Sequence, residues 1–209
     1  MTDIDTTLTS RYALPMQPDV EKVLLEQARN GQESAFAQLV EAHSEKTIQL
    51  AWRLVGNRSE AEEISQEAFL RLFKSLLTFR GDSKVSTWLY RTVSHLAIDH
   101  LRRECLKRKL FFFRNEESKQ SDPVDLAIDH SASPHDHLQA RETAEQMQKL
   151  LNRLPARQKA VFVLRHMEEL SLKEIAAMLN LSEGTVKSHL HRAVSLFRKE
   201  FSEVREKSS

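Results

Sequence analysis

The amino-acid sequence predicts an all-α protein with two small helical domains joined by a flexible acidic linker. The chain has 209 residues but only four glycines, whereas average usage of about 7% would give roughly fifteen. Sheet-rich folds use glycine in tight turns with positive φ, and nucleotide-binding loops need closely spaced glycines. The four glycines are Gly31, Gly56, Gly81 and Gly184. Their small number and wide spacing disfavour both a β-rich fold and a phosphate-loop enzyme.

The prolines divide the chain into segments. None lies between residues 19 and 122, so this stretch is free to be helical. Residues 116–133 mix Ser, Asp and Pro with little apolar periodicity, which is typical of a linker. The predicted segments are an N-terminal tail at 1–19, expected to be disordered, a first domain at 20–113, a linker at 114–137 and a second domain at 138–203.

Charge is distributed unevenly along these segments, although the formal net charge is only +1. Residues 84–115 contain eight basic and two acidic side chains, whereas residues 116–146 contain eight acidic and two basic ones. A basic segment that is free to be helical is a candidate for binding nucleic acid. The near-neutral total therefore does not argue against a nucleic-acid partner.

Helix-end signals place four helices in the first domain. Asn30-Gly31 and Gly56 are typical C-terminal caps, and Ser59 with Glu62 matches a capping box at the start of the third helix. Apolar residues at helical spacing follow in that helix. They are Ile64, Ala68, Phe69, Leu72, Phe73 and Leu76. The four helices are expected at 20–29, 34–55, 59–76 and from Ser86 to about residue 108, with a turn at 79–85.

Residues 171–194, SLKEIAAMLNLSEGTVKSHLHRAV, predict a helix-turn-helix. Ser171 and Glu174 form a capping box, Asn180 tolerates the left-handed turn, and Ser182 can cap the second helix. That helix has an apolar stripe, comprising Val186, Leu190, Ala193, Val194 and Phe197. A polar stripe of Lys187, Ser188, His191, Arg192 and Ser195 lies opposite. Such a helix suits the DNA major groove, although an ordinary helical hairpin with a solvated basic face is the alternative.

Two segments of the first domain carry a family resemblance, SEAEEISQEAFLRLF at 59–73 and FRGDSKVSTWLYRTVSHLAIDHLRR at 79–103. They resemble the second conserved region of bacterial sigma factors, most closely the extracytoplasmic-function (ECF) group. The helix-turn-helix resembles the fourth region in the same order. The resemblance implies a two-domain factor that binds core RNA polymerase through its β′ clamp helices and β flap, and that binds promoter DNA. An anti-sigma protein is a further implied partner.

The resemblance also implies roles for individual residues. Those implied to recognise the minus-35 element are Thr185, Lys187, Ser188, His189, His191 and Arg192. Those implied to recognise and melt the minus-10 element are Arg80, Gly81, Asp82, Ser83, Lys84, Thr87, Trp88, Arg91, His95, Arg102 and Arg103. Those implied to bind the polymerase clamp are Glu62, Glu63, Gln66, Glu67 and Leu70.

The chemistry of these residues is compatible with those roles. Trp88 lies beside Lys84 and Arg91, so an aromatic ring for base stacking is flanked by cations for phosphates. A core position under the helix is the equally weighted alternative for Trp88. His95 stands where the family usually has Asn, and it lacks the paired donor and acceptor of a carboxamide. We therefore expect an altered minus-10 base preference.

Several features leave alternatives open. The run Leu110–Phe113 either completes the core of the first domain or binds a partner. The acidic linker either enters the polymerase channel or is a solvated spacer. The second functional candidate is a stand-alone helix-turn-helix activator that binds duplex DNA.

Enzyme chemistry and membrane insertion are not expected. His130, His135, Asp136 and His137 could suggest a metal site, but they lie in the linker without a scaffold, so no metal or cofactor is predicted. The single cysteine, Cys105, excludes an internal disulfide and fits a reducing cytosol. The first twenty residues lack the pattern of a signal peptide. A non-enzymatic, cytoplasmic protein is the expectation.

Overall fold

We analysed a computed structural model that describes residues 17–78, 83–114 and 146–207. Every regular element in these ranges is a helix, which confirms the predicted fold class. The first four are α1 (Pro18–Arg29), α2 (Glu33–Val55), α3 (Arg58–Ser75) and α4 (Val85–Arg114). The remaining four are α5 (146–153), α6 (Ala156–His166), α7 (Leu172–Leu179) and α8 (Glu183–Lys207). Most of the predicted tail and the predicted linker lie outside the described residues.

Helices α1–α4 form an N-terminal unit in which α2 packs against each of the other three. Its centre is built from large side chains with essentially no exposed surface. These include Leu39, Leu50, Leu54, Leu72, Leu89 and Val93. Full burial of such a side chain contributes about 1.5–3 kcal/mol. The apolar spacing in the sequence therefore corresponds to the core, with Phe73 as the exception described below.

The start of α3 differs from the sequence prediction. The predicted capping box of Ser59 and Glu62 is wrong, because the helix begins at Arg58 and Asn57 is its N-cap. The Asn57 side-chain oxygen accepts a hydrogen bond of 3.1 Å from the backbone N–H of Glu60. Gly56, with a φ of +83°, ends α2 in a left-handed conformation. Asn57 is therefore available to begin the next helix immediately.

Replacement of Asn57 by Ala should lower the free energy of unfolding by about 1 kcal/mol, because the N–H of Glu60 loses its acceptor. Ser59→Ala is the matched control and should change this free energy by less than about 0.5 kcal/mol, the usual range for a surface substitution. Urea denaturation followed by circular dichroism measures both. A larger loss for Ser59→Ala than for Asn57→Ala would contradict the observed cap.

The N-terminus of α4 is held by a side chain from α1. A carboxylate oxygen of Glu21 accepts a 3.0 Å hydrogen bond from the backbone N–H of Val85. Its other oxygen lies 3.2 Å from Nε2 of His43 on α2. Burial lowers the pKa of His43, although the charge of Glu21 opposes this shift. A carboxylate at a helix N-terminus is favourable, so Glu21 positions the beginning of the basic helix.

Helix α4 is longer than predicted. It continues to Arg114 instead of ending near residue 108, since neither glycine nor proline interrupts residues 109–114. Leu110 and Phe111 therefore lie on a helix, with 64% and 62% of their surface exposed. The core interpretation of the Leu110–Phe113 run is wrong for these two residues. The side chains of Phe112 and Phe113 lie outside the described structure.

Helices α5–α8 form a C-terminal unit whose buried apolar side chains belong to the same hydrophobic core cluster as those of α1–α4. Val161, Val163 and Leu164 of α6 are fully buried. The ring of Phe162 stacks on that of Phe197 from α8, with centroids 4.5 Å apart and planes inclined by 5°. This stacking holds one face of α8 against α6. The opposite face of α8 does not take part in the contact.

A buried lysine lies within this unit. Only 2% of the surface of Lys159 is exposed, and its Nζ donates a 3.0 Å hydrogen bond to the Asn152 side chain. Burial lowers the pKa of Lys159 to about 8 from a reference value of 10.5. The charged form is therefore less stable in the folded protein than in the unfolded chain.

Replacement of Lys159 by Met should raise the free energy of unfolding at pH 7 by about 1–3 kcal/mol, since the full pKa difference corresponds to about 3 kcal/mol. Between pH 8 and 10.5 the unfolded parent binds more protons at this site than the folded parent, so the Lys159 penalty fades as pH rises. The advantage of the variant should shrink over that window. Paired urea titrations at pH 7 and pH 10 measure the difference, and a constant advantage would contradict the assigned burial penalty.

Candidate nucleic-acid interface

The helix-turn-helix has the predicted geometry. The Ser171 side chain accepts from the Glu174 N–H, and the Glu174 carboxylate accepts from the Ser171 N–H, which confirms the capping box. Asn180 adopts a left-handed conformation with a φ of +52°. The Ser182 side chain then accepts a 3.1 Å hydrogen bond from the Thr185 N–H at the start of α8. The small buried side chain of Ala176 belongs to the core between the two helices.

Helix α8 has one buried face and one basic face. Val186 and Ala193 have no exposed surface, and Phe197 is also buried. The side chains of Lys187, Ser188, His191 and Arg192 are exposed. Exposed side chains in the N-terminal part of a recognition helix can reach base edges in the major groove. The structure thus brings Lys187, His191 and Arg192 together on one surface.

Three other residues predicted for minus-35 recognition have local partners. The Thr185 hydroxyl lies 2.8 Å from that of Ser182, and the Ser188 hydroxyl donates to the backbone oxygen of Gly184. His189 is half-buried, and its Nδ1 has no hydrogen-bond partner in the described part of the chain. Burial, followed by the charges of Arg192 and Arg157, lowers the pKa of His189. His189 therefore lies apart from the exposed surface of Lys187 and His191.

A second basic surface runs along α4. Lys84 precedes the helix, while Thr87 and Arg91 follow one and two turns later, and all three are exposed. Arg102 and Arg103 are exposed further along, and Ser83 is exposed before the helix. Arg102 is 4.0 Å from Asp99 across one turn. An ion pair between side chains this exposed is weak, so it leaves the arginine accessible.

Trp88 and His95 are each half-buried on α4. The Trp88 ring packs against the core of the N-terminal unit, while Leu89 and Val93 are fully buried beside it. Arg80, Gly81 and Asp82, the other predicted minus-10 residues, lie outside the described residues. Arg91 donates a 3.2 Å hydrogen bond to the Asn180 side chain, so a predicted DNA-binding residue of α4 contacts the turn of the helix-turn-helix.

The outer face of α3 combines acidic and apolar side chains. Glu63, Gln66 and Leu70 are exposed. Glu62 accepts a 3.0 Å hydrogen bond from Arg58, and Glu67 accepts one of 2.8 Å from Arg71. These are the five residues that the sequence predicts for clamp binding.

Two apolar residues that the sequence does not assign to clamp binding, Phe73 and Leu77, extend this face. Phe73 is 53% exposed, as is Leu70, and Leu77 is 85% exposed. The sequence predicts Phe73 in the buried stripe, but its ring is half-exposed and meets the ring of Phe36 in an edge-type contact, with centroids 5.1 Å apart. The spacing of Leu70, Phe73 and Leu77 is that of a second helical stripe. We refer to these three residues as the α3 apolar patch.

Comparison with known families and proteins identifies the class of this chain. A family described as Sigma-70 region 2 matches residues 39–105, and one described as Sigma-70, region 4 matches residues 144–196. The ECF RNA polymerase sigma factor SigW of Bacillus subtilis (strain 168) is 33% identical over 186 residues, which is 88% of this chain and 97% of SigW. The chain belongs to the ECF RNA polymerase sigma factors. The protein is therefore a sigma factor for RNA polymerase and not a stand-alone helix-turn-helix activator.

Two solved structures share the fold of this ECF sigma factor. CnrH in complex with the cytosolic domain of CnrY has a TM-score of 0.59 and 23% identity, covering 88% of this chain and 99% of that chain. The sigma factor RpoE in complex with the anti-sigma factor NepR from Bartonella quintana has a TM-score of 0.53 and 21% identity, covering 80% and 96%. At sequence identities this low, the structural likeness shows that the helices are arranged in the same way, and it shows the fold alone.

No described helix combines the length and apolar character that a membrane span requires. No three His, Cys, Asp or Glu side chains of residues 17–78, 83–114 and 146–207 lie together as a possible metal site. His130, His135, Asp136 and His137 lie outside those ranges.

Proposed function

We propose that this ECF sigma factor recognises the minus-35 element through α8 and the minus-10 element through α4, while α3 binds the polymerase clamp. The division of α8 into a buried face and a basic face is the observation that supports this assignment most strongly. Lys187 and Arg192 can donate hydrogen bonds to guanine O6 and N7 in the major groove, and His191 can donate or accept. Thr185, Ser188 and His189 support the turn and the helix in this scheme.

For the minus-10 element, we propose different binding roles for the basic side chains of α4 and for Trp88. Lys84, Arg91, Arg102 and Arg103 are proposed to bind phosphates, because they are exposed and closely spaced on α4. The accessible part of the Trp88 ring is proposed to meet an unpaired base, where stacking contributes about 1–3 kcal/mol. His95 stands where relatives usually have Asn, so base preference at one minus-10 position is expected to differ.

The polymerase proposal rests on the α3 apolar patch with Glu63, Gln66 and Glu67 beside it. Exposed apolar groups surrounded by polar ones are typical of protein-binding surfaces, and the carboxylates would complement a basic partner. Leu106, Leu110 and Phe111 form a second exposed apolar surface near the end of α4. We propose that an anti-sigma protein covers this second surface, since one structural relative, RpoE from Bartonella quintana, was solved in complex with an anti-sigma factor.

In this proposal the protein acts as a transcription initiation factor and catalyses no reaction itself. Its site of action is proposed to be the cytoplasm, where bacterial RNA polymerase works. No metal or other cofactor is required by this scheme. The acidic linker is proposed to separate the two DNA-binding units within the polymerase complex.

Transcription in vitro with purified core polymerase tests the proposed function. We expect the chain to produce transcripts with defined start sites from fragments of its own genome, and to bind promoter DNA poorly without polymerase. Core polymerase without the chain is the control. The absence of a promoter-specific transcript from every genomic template would overturn the proposal, and tight binding to duplex DNA without polymerase would favour an activator.

A further inference from the structure

Helix α1 carries a charged side chain at each end of its buried stripe. Leu24, Leu25 and Ala28 are buried. Glu21 precedes this stripe by one turn and Arg29 follows it, at the spacing that continues the same helix face. The two charged residues are eight positions apart, which is about 12 Å along the helix axis and about 80° around it. Both are therefore placed toward the neighbouring helices and not on the outer side of α1.

The Glu21 carboxylate binds the first backbone N–H of α4. One oxygen accepts a 3.0 Å hydrogen bond from the N–H of Val85, the first residue of that helix. The other oxygen lies 3.2 Å from Nε2 of His43, and only 13% of the Glu21 side chain is exposed. Val85 itself has no exposed surface. Because the first N–H groups of a helix have no partner within it, Glu21 supplies the acceptor that this buried helix end lacks.

The Arg29 guanidinium binds the opposite kind of helix end, the C-terminus of α3. Its Nε donates a 2.9 Å hydrogen bond to the backbone oxygen of Leu76, the buried residue that caps α3. The last carbonyl groups of a helix lack internal partners, and a cation is favourable beside them. Since Glu21 and Arg29 belong to one continuous helix, α1 links the end of α3 to the beginning of α4.

The beginning of α4 has no acidic side chain of its own. Its first turn contains none, although carboxylates are the side chains that stabilise a helix N-terminus. An exposed carboxylate here would repel the densely charged DNA backbone beside Lys84 and Arg91, which are proposed to bind phosphates. Glu21 reaches the helix end from the protein interior instead. The fold thus stabilises the start of α4 while its outer surface stays basic.

Apolar packing between α3 and α4 does not by itself fix how far one helix is displaced along the other. Leu72 of α3 and Leu89 and Val93 of α4 are fully buried where these helices pack. Hydrophobic burial is non-directional, whereas a hydrogen bond depends on distance and angle. The hydrogen bonds of Glu21 and Arg29 are therefore suited to fix the first turn of α4 relative to the end of α3.

We propose that Glu21 and Arg29 are positioning residues for minus-10 recognition, because they hold the first turns of α4 at a fixed place relative to α3. The inference rests on the proposed function, in which α3 binds the polymerase clamp and α4 binds the minus-10 element. The basic residues of α4 and Trp88 then reach the DNA while α3 stays on the clamp. Helix α1 precedes residue 39, where the match to Sigma-70 region 2 begins, and it acts only through α3 and α4.

Hydrogen exchange of the Val85 amide, followed by NMR in the full chain, tests the Glu21 contact. Glu21→Met removes the acceptor at nearly equal side-chain length, so exchange of this amide should become about tenfold faster or more. Glu21→Gln keeps an oxygen acceptor and should stay within about threefold of the parent. Glu26→Met is the matched control, since Glu26 is an exposed acid on the same helix. Equal exchange in Glu21→Met and the parent would overturn the proposal.

Promoter opening by the polymerase holoenzyme tests the positioning role. Glu21→Met should slow opening about tenfold or more, and Glu21→Gln should restore it to within about threefold of the parent. Arg29→Met should also slow opening, whereas Arg29→Lys should retain most of it, because an ammonium group can donate to the same backbone oxygen. Permanganate reactivity of unpaired thymines in the minus-10 element measures the rate. Lys22→Met is the control for the arginine, since Lys22 is an exposed cation on α1.

Affinity for core polymerase and preference for the minus-35 element separate positioning from a general loss of folding. Both should stay within about twofold of the parent in Glu21→Met, because the outer faces of α3 and α8 are unchanged. An equal fall in polymerase affinity, minus-35 preference and promoter opening would overturn the proposal, and so would a Glu21→Gln chain that opens promoters no faster than Glu21→Met. If the parent chain itself opens no promoter, the proposed function fails, while exchange of the Val85 amide still decides whether Glu21 holds α4.

Discussion

Replacement of both Leu70 and Phe73 by Asp should lower the affinity of the protein for core polymerase by about 100-fold or more. Each side chain is 53% exposed in the free chain, and burying the remaining apolar surface of two such residues contributes about 3 kcal/mol. A carboxylate placed in the same contact also loses hydration. Fluorescence anisotropy of the labelled chain against increasing core polymerase measures the dissociation constant.

Val23→Asp is the matched control, because Val23 is 52% exposed and lies on α1. Its affinity for polymerase should remain within about twofold of the parent. The thermal midpoints of all variants should be close, since the substituted surfaces already face solvent. Equal affinity of the Leu70/Phe73 variant and the parent would show that the α3 apolar patch does not bind polymerase.

Replacement of both Lys187 and Arg192 by Ala should weaken minus-35 recognition by about 2–6 kcal/mol, because a base-specific contact contributes about 1–3 kcal/mol. The polymerase holoenzyme should then lose about 30-fold or more of its preference for a promoter with the correct minus-35 element. Competition between that promoter and one with a scrambled minus-35 element measures the change. Each single variant should show about half of the effect in free energy.

Lys173→Ala is the control for this experiment. Lys173 is exposed on α7 in the same unit, so its removal changes the charge without altering the basic face of α8. A general loss of electrostatic attraction would weaken binding to both promoters equally. If the Lys187/Arg192 variant loses affinity for both promoters to the same extent, the two residues bind phosphates and not bases.

Local signals in the sequence are sufficient for the helix-turn-helix. Its capping box, its left-handed corner at Asn180 and its second cap at Ser182 each depend on residues within four positions of one another. Such hydrogen bonds form wherever the local backbone forms. The alternation of apolar and polar residues in α8 then determines which face is buried.

Other features depend on competition between neighbouring signals. Asn57 and Ser59 can each cap a helix, and the preceding left-handed turn at Gly56 favours Asn57. Phe73 satisfies the periodicity of both sides of α3, and the folded chain leaves it half-exposed beside Phe36. The resemblance implies a minus-35 role for both His189 and Lys187, but a helix turns by about 200° over two residues, so their side chains lie on different sides of α8.

The amino-acid sequence by itself determined the helical class and the face that α8 presents, because periodicity and caps are local properties. Its resemblance to known sigma factors indicated the order of the two sigma regions. Only the tertiary structure decided the α3 apolar patch, the burial of Lys159 and the approach of α4 to the helix-turn-helix. The Arg53–Glu168 pair joins residues 115 positions apart. No local pattern encodes such a pair, because it exists only where the N-terminal and C-terminal helices pack against each other.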